Sequence, residues 1–372
     1  MNTKKILFPI ILAGAGVMLI LRSYTRAATK PATTRPVSND APYDAIDAYI
    51  EEQMRRLHIP GVSLAIVEGD QIVYQRGFGH ARPGGEAPTP QTPFFIGSLT
   101  KSFTALAVMQ LVEAGKVELD APVQRYLPWF RVADPQASAQ ITVRHLLNQT
   151  SSLPMLSGMA NLGDLDSRSD AGERQARYLS KLKINRPVGS KFEYTNLNYN
   201  ILGLIIEASS GETYSNYIQQ HIFDPLGMRH SYTSKAIAQQ NGLAIGHRYW
   251  FGQPFPAPNL SIPIGSLPSG QLISSAEDMA HYMIANLNGG CYGGVQILSE
   301  AGMDELHRGA AEIIEMGQSM GYYAMGWISE GTGKSKIVWH SGIVPNFEGF
   351  MALVPEQKTG TTPRRSPRTR DN

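Results

Sequence analysis

Between Tyr43 and His58 the apolar residues Ile46, Ile50, Met54 and Leu57 recur at helical spacing, and Pro60-Gly61 closes the segment, so the pattern predicts an amphipathic helix. Two β-rich runs follow, 62–67 and 72–78, separated by Glu-Gly-Asp-Gln, and they predict a hairpin. The Pro/Gly-rich stretch 82–93 predicts a loop. From Ser98 to Ala114 apolar residues (Phe103, Leu106, Val108, Met109, Leu111, Val112) surround the helical axis, which predicts a buried helix with Gly115 as its cap. The middle, about 122–290, reads as loops and helices: 143–147, a charged helix near 173–183, 198–208, 214–222 and 276–287. Strands return only at 336–340 and 347–354. Strands at both ends of a helical middle predict an α+β fold, with one antiparallel sheet built from the two chain ends and a helical region inserted. The sheet part is expected over 41–95 and 320–358 and the helical part over 96–319.

The chain ends read differently. Ile6 to Leu21 is a 16-residue apolar run between Lys4-Lys5 and Arg22, with small residues at Thr25, Ala27 and Ala28. This predicts a signal peptide or membrane anchor over 1–28, a Pro/Thr/Ser linker over 29–40, and an extracytoplasmic protein, anchored or secreted. The net charge of +2 in 372 residues is uneven: both tails are basic, so the body between them is net acidic. A nucleic-acid face needs clustered Lys/Arg on the folded body, and that class of partner is set aside. Cys291 is the single cysteine, which excludes an intramolecular disulfide and a cysteine-rich zinc site.

Several routes to chemistry close quickly. No serine lies in Gly-x-Ser-x-Gly, no His-Glu-x-x-His occurs, Gly331-Thr-Gly-Lys-Ser335 lacks the first P-loop glycine, and the nine histidines have no metal-ligand spacing. What remains is Ser98-Leu-Thr-Lys101. A helix sets these two side chains on one face, about 5–6 Å apart, and a lysine in an apolar helix loses pKa by desolvation, which suits it as a base for the serine. Ser180-Lys-Leu-Lys183 has the same spacing but ends a charged, solvated helix. Tyr-x-Asn occurs as Tyr194-Thr-Asn196, after a turn where a phenol can reach a cleft, and as Tyr214-Ser-Asn216, where Tyr214 reads as packing. His340-Ser-Gly342 ends a strand whose glycine admits close backbone approach; His307-Arg-Gly309 and Lys358-Thr-Gly360 read as decoys.

Taken in chain order, these residues resemble the serine β-lactamase and penicillin-binding-protein superfamily, in its class C β-lactamase-related branch of D-aminopeptidases, D-alanyl-D-alanine carboxypeptidases and family VIII esterases. The resemblance runs from about Ile46 to Gln357 through Pro60-Gly-Val62, Phe95-Ile-Gly-Ser-Leu-Thr-Lys101, Ile141-Thr-Val-Arg-His-Leu-Leu147, Tyr194-Thr-Asn196, Pro225-Leu-Gly-Met228, Gly321-Tyr-Tyr-Ala-Met-Gly-Trp327 and His340-Ser-Gly342. It implies a β-lactamase/transpeptidase-like fold and a serine hydrolase. Ser98 would be the acylated nucleophile, Lys101 its proton acceptor, and Tyr194 a base or proton relay. Asn196, His340, Ser341 and Gly342 would bind substrate, and the backbone N–H groups of Ser98 and Ile343 would form the oxyanion hole. It implies no metal and no cofactor, and a small ester, amide or peptide substrate, with cell-wall-derived peptides among the candidates.

Two departures from the family pattern shape the expectation. His340 stands where many relatives carry the lysine of Lys-Thr-Gly, and a histidine is mostly neutral near pH 7. An ester, amide or D-amino-acid peptide hydrolase is therefore expected over a true β-lactamase. After Gly360 the resemblance calls for one more apolar strand, inside the sheet, and a closing helix. The residues there have no apolar side chain, so the expectation is a missing central strand, a disordered basic tail over 359–372, and a truncated or frameshifted chain less stable than a full-length relative. Two alternatives to catalysis stay open: a penicillin-binding-like or cell-wall-binding scaffold that captures ligand without turnover, and an inactive truncated product.

Overall fold

The computed structural model describes residues 41–154, 168, 170–258 and 263–365. The expected leader or anchor, the linker over 29–40 and residues 366–372 lie outside the described residues. Among the described residues, no helix is long and apolar enough to cross a membrane.

Helix α1 (Ala41–Leu57) and the hairpin β1 (Gly61–Glu68) and β2 (Gln71–Gly79) form where the apolar periodicity places them. Strand alternation divides β1 between two cores. Val62 and Leu64 pack with Ile59 and Phe78 under the apolar stripe Ile46, Ile50, Met54 and Leu57 of α1. Ala65 and Val67 face the other way, into the main core. That core is filled by α2 (Thr100–Glu113), α3 (Asn196–Ser210) and α4 (Ala276–Leu287). α2 is buried on nearly every side, as its all-round apolar pattern requires.

The remaining strands are β3 (Ala311–Glu315), β4 (Gln318–Tyr323), β5 (Ile328–Glu330), β6 (Ile337–Val344), β7 (Phe347–Val354) and β8 (Thr359–Arg365). They join the first hairpin in one eight-stranded antiparallel sheet of order β2-β1-β8-β7-β6-β5-β4-β3. The sheet is made from both chain ends with helices packed on it, which is the expected α+β architecture. Its C-terminal part begins at Ala311, earlier than the expected 320, because β3 to β5 are short and lie at the sheet margin. Their outward positions carry apolar residues such as Ile314 (63% exposed) and Tyr322 (47%), which blur the alternation a strand is recognised by.

The central strand is present, and this corrects the expectation of a missing one. β8 lies between β1 and β7, with Val62 to Glu68 on one side and Val354, Leu353 and Ala352 on the other. Its Thr361 and Thr362 are buried. An interior strand satisfies its N–H and C=O groups on two neighbours whatever its side chains, and threonine is at home on a pleated surface. A search for apolar side chains therefore misses such a strand. The tail expected to be disordered from residue 359 is a strand through Arg365. Pro363, which has no N–H to give, leaves its mark: the β7–β8 pairing skips Phe350 and Met351, the residues opposite Pro363 and Thr362.

Candidate active site

Ser98 lies in one tight turn, Gly97–Leu99, directly ahead of α2. A short pairing of Phe94–Phe95 with Ile273–Ser274 sets that turn in place. It is continued by Ile96 N–H donating to the Leu272 carbonyl at 3.0 Å and by Leu272 N–H donating to Thr100 Oγ1 at 3.2 Å. Against the turn lies β6. A Cβ on Gly97, whose φ is +55°, would meet the Ile343 nitrogen at 2.5 Å. One on Gly342 would meet the Ile96 carbonyl oxygen at 1.9 Å and the Ser98 nitrogen at 2.9 Å. Two glycines thus permit a close backbone approach between the Ser98 turn and β6 at Ile343.

Lys101, one helical turn on, is fully buried. Its Nζ lies 3.1 Å from Ser98 Oγ, 2.7 Å from Asn196 Oδ1 and 2.6 Å from the Ser269 carbonyl oxygen. Burial alone holds its pKa well below the ordinary lysine value. The three partners then divide by chemistry. The Asn196 and Ser269 oxygens are pure acceptors and take the two N–H bonds of a neutral amine. The lone pair is left for the Ser98 hydroxyl, which can donate to it.

Tyr194 and Asn196 sit at the start of α3, which Thr195 caps by accepting Leu197 N–H at 3.4 Å. The Tyr194 ring lies 4.9 Å from Lys101 Nζ, centroid to atom. Desolvation raises its phenol pKa, with hydrogen bonding to Ser98 pulling the other way, so Tyr194 keeps its proton. Gln149, fully buried at a φ of +59°, holds this segment from behind. Its side-chain oxygen accepts from Thr195 N–H at 3.0 Å and from Asn198 Nδ2 at 2.6 Å, and its backbone carbonyl accepts from Glu193 N–H at 2.8 Å.

His340 is 3% exposed on β6. Its Nδ1 faces the Ser341 carbonyl at 2.5 Å and its Nε2 faces the Tyr323 hydroxyl at 3.4 Å. Nδ1 therefore carries the proton and Nε2 accepts. Burial, followed by the nearby Lys101, pushes the His340 pKa down to about 3, so the ring is neutral. Ser341 is half-buried and, by strand alternation, on the opposite face from His340 and Gly342.

The structure thus gathers Ser98, Lys101, Tyr194, Asn196, His340, Gly342 and Ile343 in one cluster. The repeated motifs separate as their contexts predict. Ser180 is exposed and donates to the Arg177 carbonyl. Tyr214 is buried with its hydroxyl 2.7 Å from Thr104 Oγ1. His307 is buried against Trp327, its Nε2 3.0 Å from Asn286 Oδ1. Lys358 occupies a left-handed turn before β8. Sequence reasoning did not find Gln149, Tyr323 or the Ser269 carbonyl. Tyr323 lay inside a recognised segment without a role, and a backbone carbonyl leaves no trace in residue identity. Among the described residues, His230, Glu277 and Asp278 could hold a cation. Asp278 is already satisfied there by His230 N–H and the Ser231 hydroxyl, both at 2.7 Å, in an arrangement that orders the start of α4.

The beta-lactamase family model matches residues 46–362. Protein flp of Staphylococcus aureus (strain MW2) is 28% identical over 325 residues, covering 87% of this chain and 63% of that protein. The chain therefore spans somewhat less than two thirds of that relative's length. Penicillin-binding protein 4 of Amycolatopsis lactamdurans is 31% identical over 311 residues, covering 80% of this chain and 78% of that one. Among solved structures, the octameric penicillin-binding protein homologue from Pyrococcus abyssi superposes with a TM-score of 0.75 at 30% identity, over 87% of this chain and 73% of that one. SurE, at 24% identity and a TM-score of 0.74, covering 88% of this chain and 73% of its own, shares the fold.

Proposed function

Because the chain belongs to the beta-lactamase family, we propose that it is a serine hydrolase that cleaves an ester, amide or D-amino-acid peptide through an acyl-enzyme on Ser98. The observation that carries this reading is the buried Lys101, whose Nζ meets two pure acceptors and the Ser98 hydroxyl. As Ser98 Oγ attacks the substrate carbonyl carbon, its proton passes to Lys101 Nζ. The carbonyl oxygen takes up the negative charge between the Ser98 and Ile343 N–H groups, an interaction typically worth about 3–4 kcal/mol in the transition state. Collapse breaks the bond to the leaving group, which receives a proton through Tyr194. Water then adds to the acyl-enzyme, gives its proton back along the same route, and frees Ser98.

With its phenol pKa raised, Tyr194 serves as a relay and hydrogen-bond donor, not as a standing phenolate. Neutral His340 supplies no permanent cation for a substrate carboxylate, which favours neutral esters and amides over β-lactams. That one relative is named a penicillin-binding protein supports a site that takes up an amide-like carbonyl. We also place the protein outside the cytoplasm, tethered or exported by the apolar segment 6–21.

The test is intact mass before and after a fluorophosphonate, followed by turnover of p-nitrophenyl esters. One adduct is expected on the wild type and on Ser180→Ala, and none on Ser98→Ala. An adduct that vanishes in Ser180→Ala and survives in Ser98→Ala would overturn the assignment. Labelling of Ser98 without turnover of any ester or peptide would replace hydrolysis by ligand capture.

A further inference from the structure

The strands His247–Trp250 and Gln253–Pro256 form a separate small hairpin that carries three large rings outside the core. Trp250 is 64% exposed, Phe251 87% and Phe255 53%. The hairpin is firmly based. Tyr249, 3% exposed, donates its hydroxyl to the His58 carbonyl at 2.8 Å. The Asn346 amide donates to the Ala257 carbonyl at 2.7 Å and accepts from Arg248 Nε at 3.2 Å. Asn346 lies in the turn between β6 and β7, just beyond Ile343, so the hairpin is keyed to the strand that packs against the Ser98 turn.

The tip is built at a cost. φ is positive at both turn residues, +47° at Phe251 and +77° at Gly252. Asn-Gly is the pair that suits this geometry, and a phenylalanine is strained there. Among the described residues its ring contact is an edge-on one with Trp250, centroids 5.4 Å apart. A strained backbone under an exposed ring directs attention to what the ring meets outside the molecule. The register sets Arg248 opposite Phe255 and Trp250 opposite Gln253. Arg248 and Trp250 are exposed while His247 and Tyr249 are buried. No acidic residue lies between His247 and Pro256.

A hairpin tip of three rings is small beside the roughly 800 Å² per partner of a stable protein interface. A bilayer's interfacial zone, by contrast, takes up single tryptophan and phenylalanine rings, and its anionic headgroups favour a neighbouring arginine. We propose that the Trp250-Phe251 tip, with Phe255 and Arg248, inserts into the interfacial zone of an anionic lipid bilayer and so orients the Ser98 cleft toward the membrane surface. The proposal rests on the reading that the apolar segment 6–21 brings the chain to a membrane.

The full chain is mixed with phosphatidylcholine/phosphatidylglycerol vesicles whose acyl chains are plain or brominated. Wild-type minus Trp250→Phe emission isolates Trp250, and a cooperative melt checks the folding of each variant. The Trp250 emission is expected to shift to the blue and to fall at least two-fold on brominated vesicles. Phe251→Asn, which suits the turn, is expected to remain folded and to lose at least half of that quenching. If the chain sediments with vesicles and Trp250 is unquenched, the hairpin proposal is overturned and the membrane reading stands. If the chain does not sediment, both are overturned. A blue shift that needs no lipid and grows with protein concentration would overturn insertion in favour of self-association.

Discussion

Lys101 shows how one side chain acquires a function from burial. Burial takes its ammonium form out of solvent and so disfavours it, and the free amine is the form that can take the Ser98 proton. The rate of Ser98 labelling is therefore expected to rise with pH through the lowered Lys101 pKa and to be lost below it. His340, pushed down to about 3, should add no inflection near 6.5, so His340→Gln leaves the shape of the profile unchanged. Lys101→Arg keeps a positive charge at every pH and should slow labelling by about 100-fold or more. Labelling rates measured between pH 4 and 9 check both statements.

Two elements carry predictions of their own. The turn at Gln149 meets the start of α3 with one oxygen that accepts both Thr195 N–H and Asn198 Nδ2. Gln149→Leu keeps the volume and removes the acceptor. Ester turnover is expected to fall about 10-fold or more through misplacement of Tyr194 and Asn196, with recovery in Gln149→Glu, which restores an acceptor oxygen. In β8 the hydroxyl of Thr362 is buried without a hydrogen-bond partner. Thr362→Val removes that unpaired group at nearly constant shape and should raise stability by about 1 kcal/mol, read as a higher denaturant midpoint.

For the whole molecule, buried histidines set the response to acid. Desolvation pushes His307 and His340 from 6.5 down to about 3 in the folded protein. The unfolded chain binds these protons below pH 6.5 and the folded one resists until about 3, so folding stability declines as pH falls through that window. Melting temperatures should drop between pH 7 and pH 4. His307→Gln, which removes one of the two groups, should flatten the decline.

Much of the fold and half of the chemistry could be read along the chain. The helix ahead of the first hairpin, the buried α2, α4 and β7 follow from apolar periodicity, because burial of those faces drives their formation. The Ser98–Lys101 pair follows from helical spacing, a local property. Other features rest on groups that periodicity does not register. β8 is held by backbone pairing with two strands, one from each end of the chain, so its polar side chains hide it. The Ser269 carbonyl and the N–H of Ile343 are main-chain atoms that any residue would supply, and Gln149 acts across a gap in sequence that only folding closes. Local side-chain pattern decided the apolar helices and strands and set a lysine one helical turn from Ser98. Tertiary packing decided what surrounds them, because desolvation, backbone approach and hydrogen bonds between distant segments exist only after the chain has collapsed.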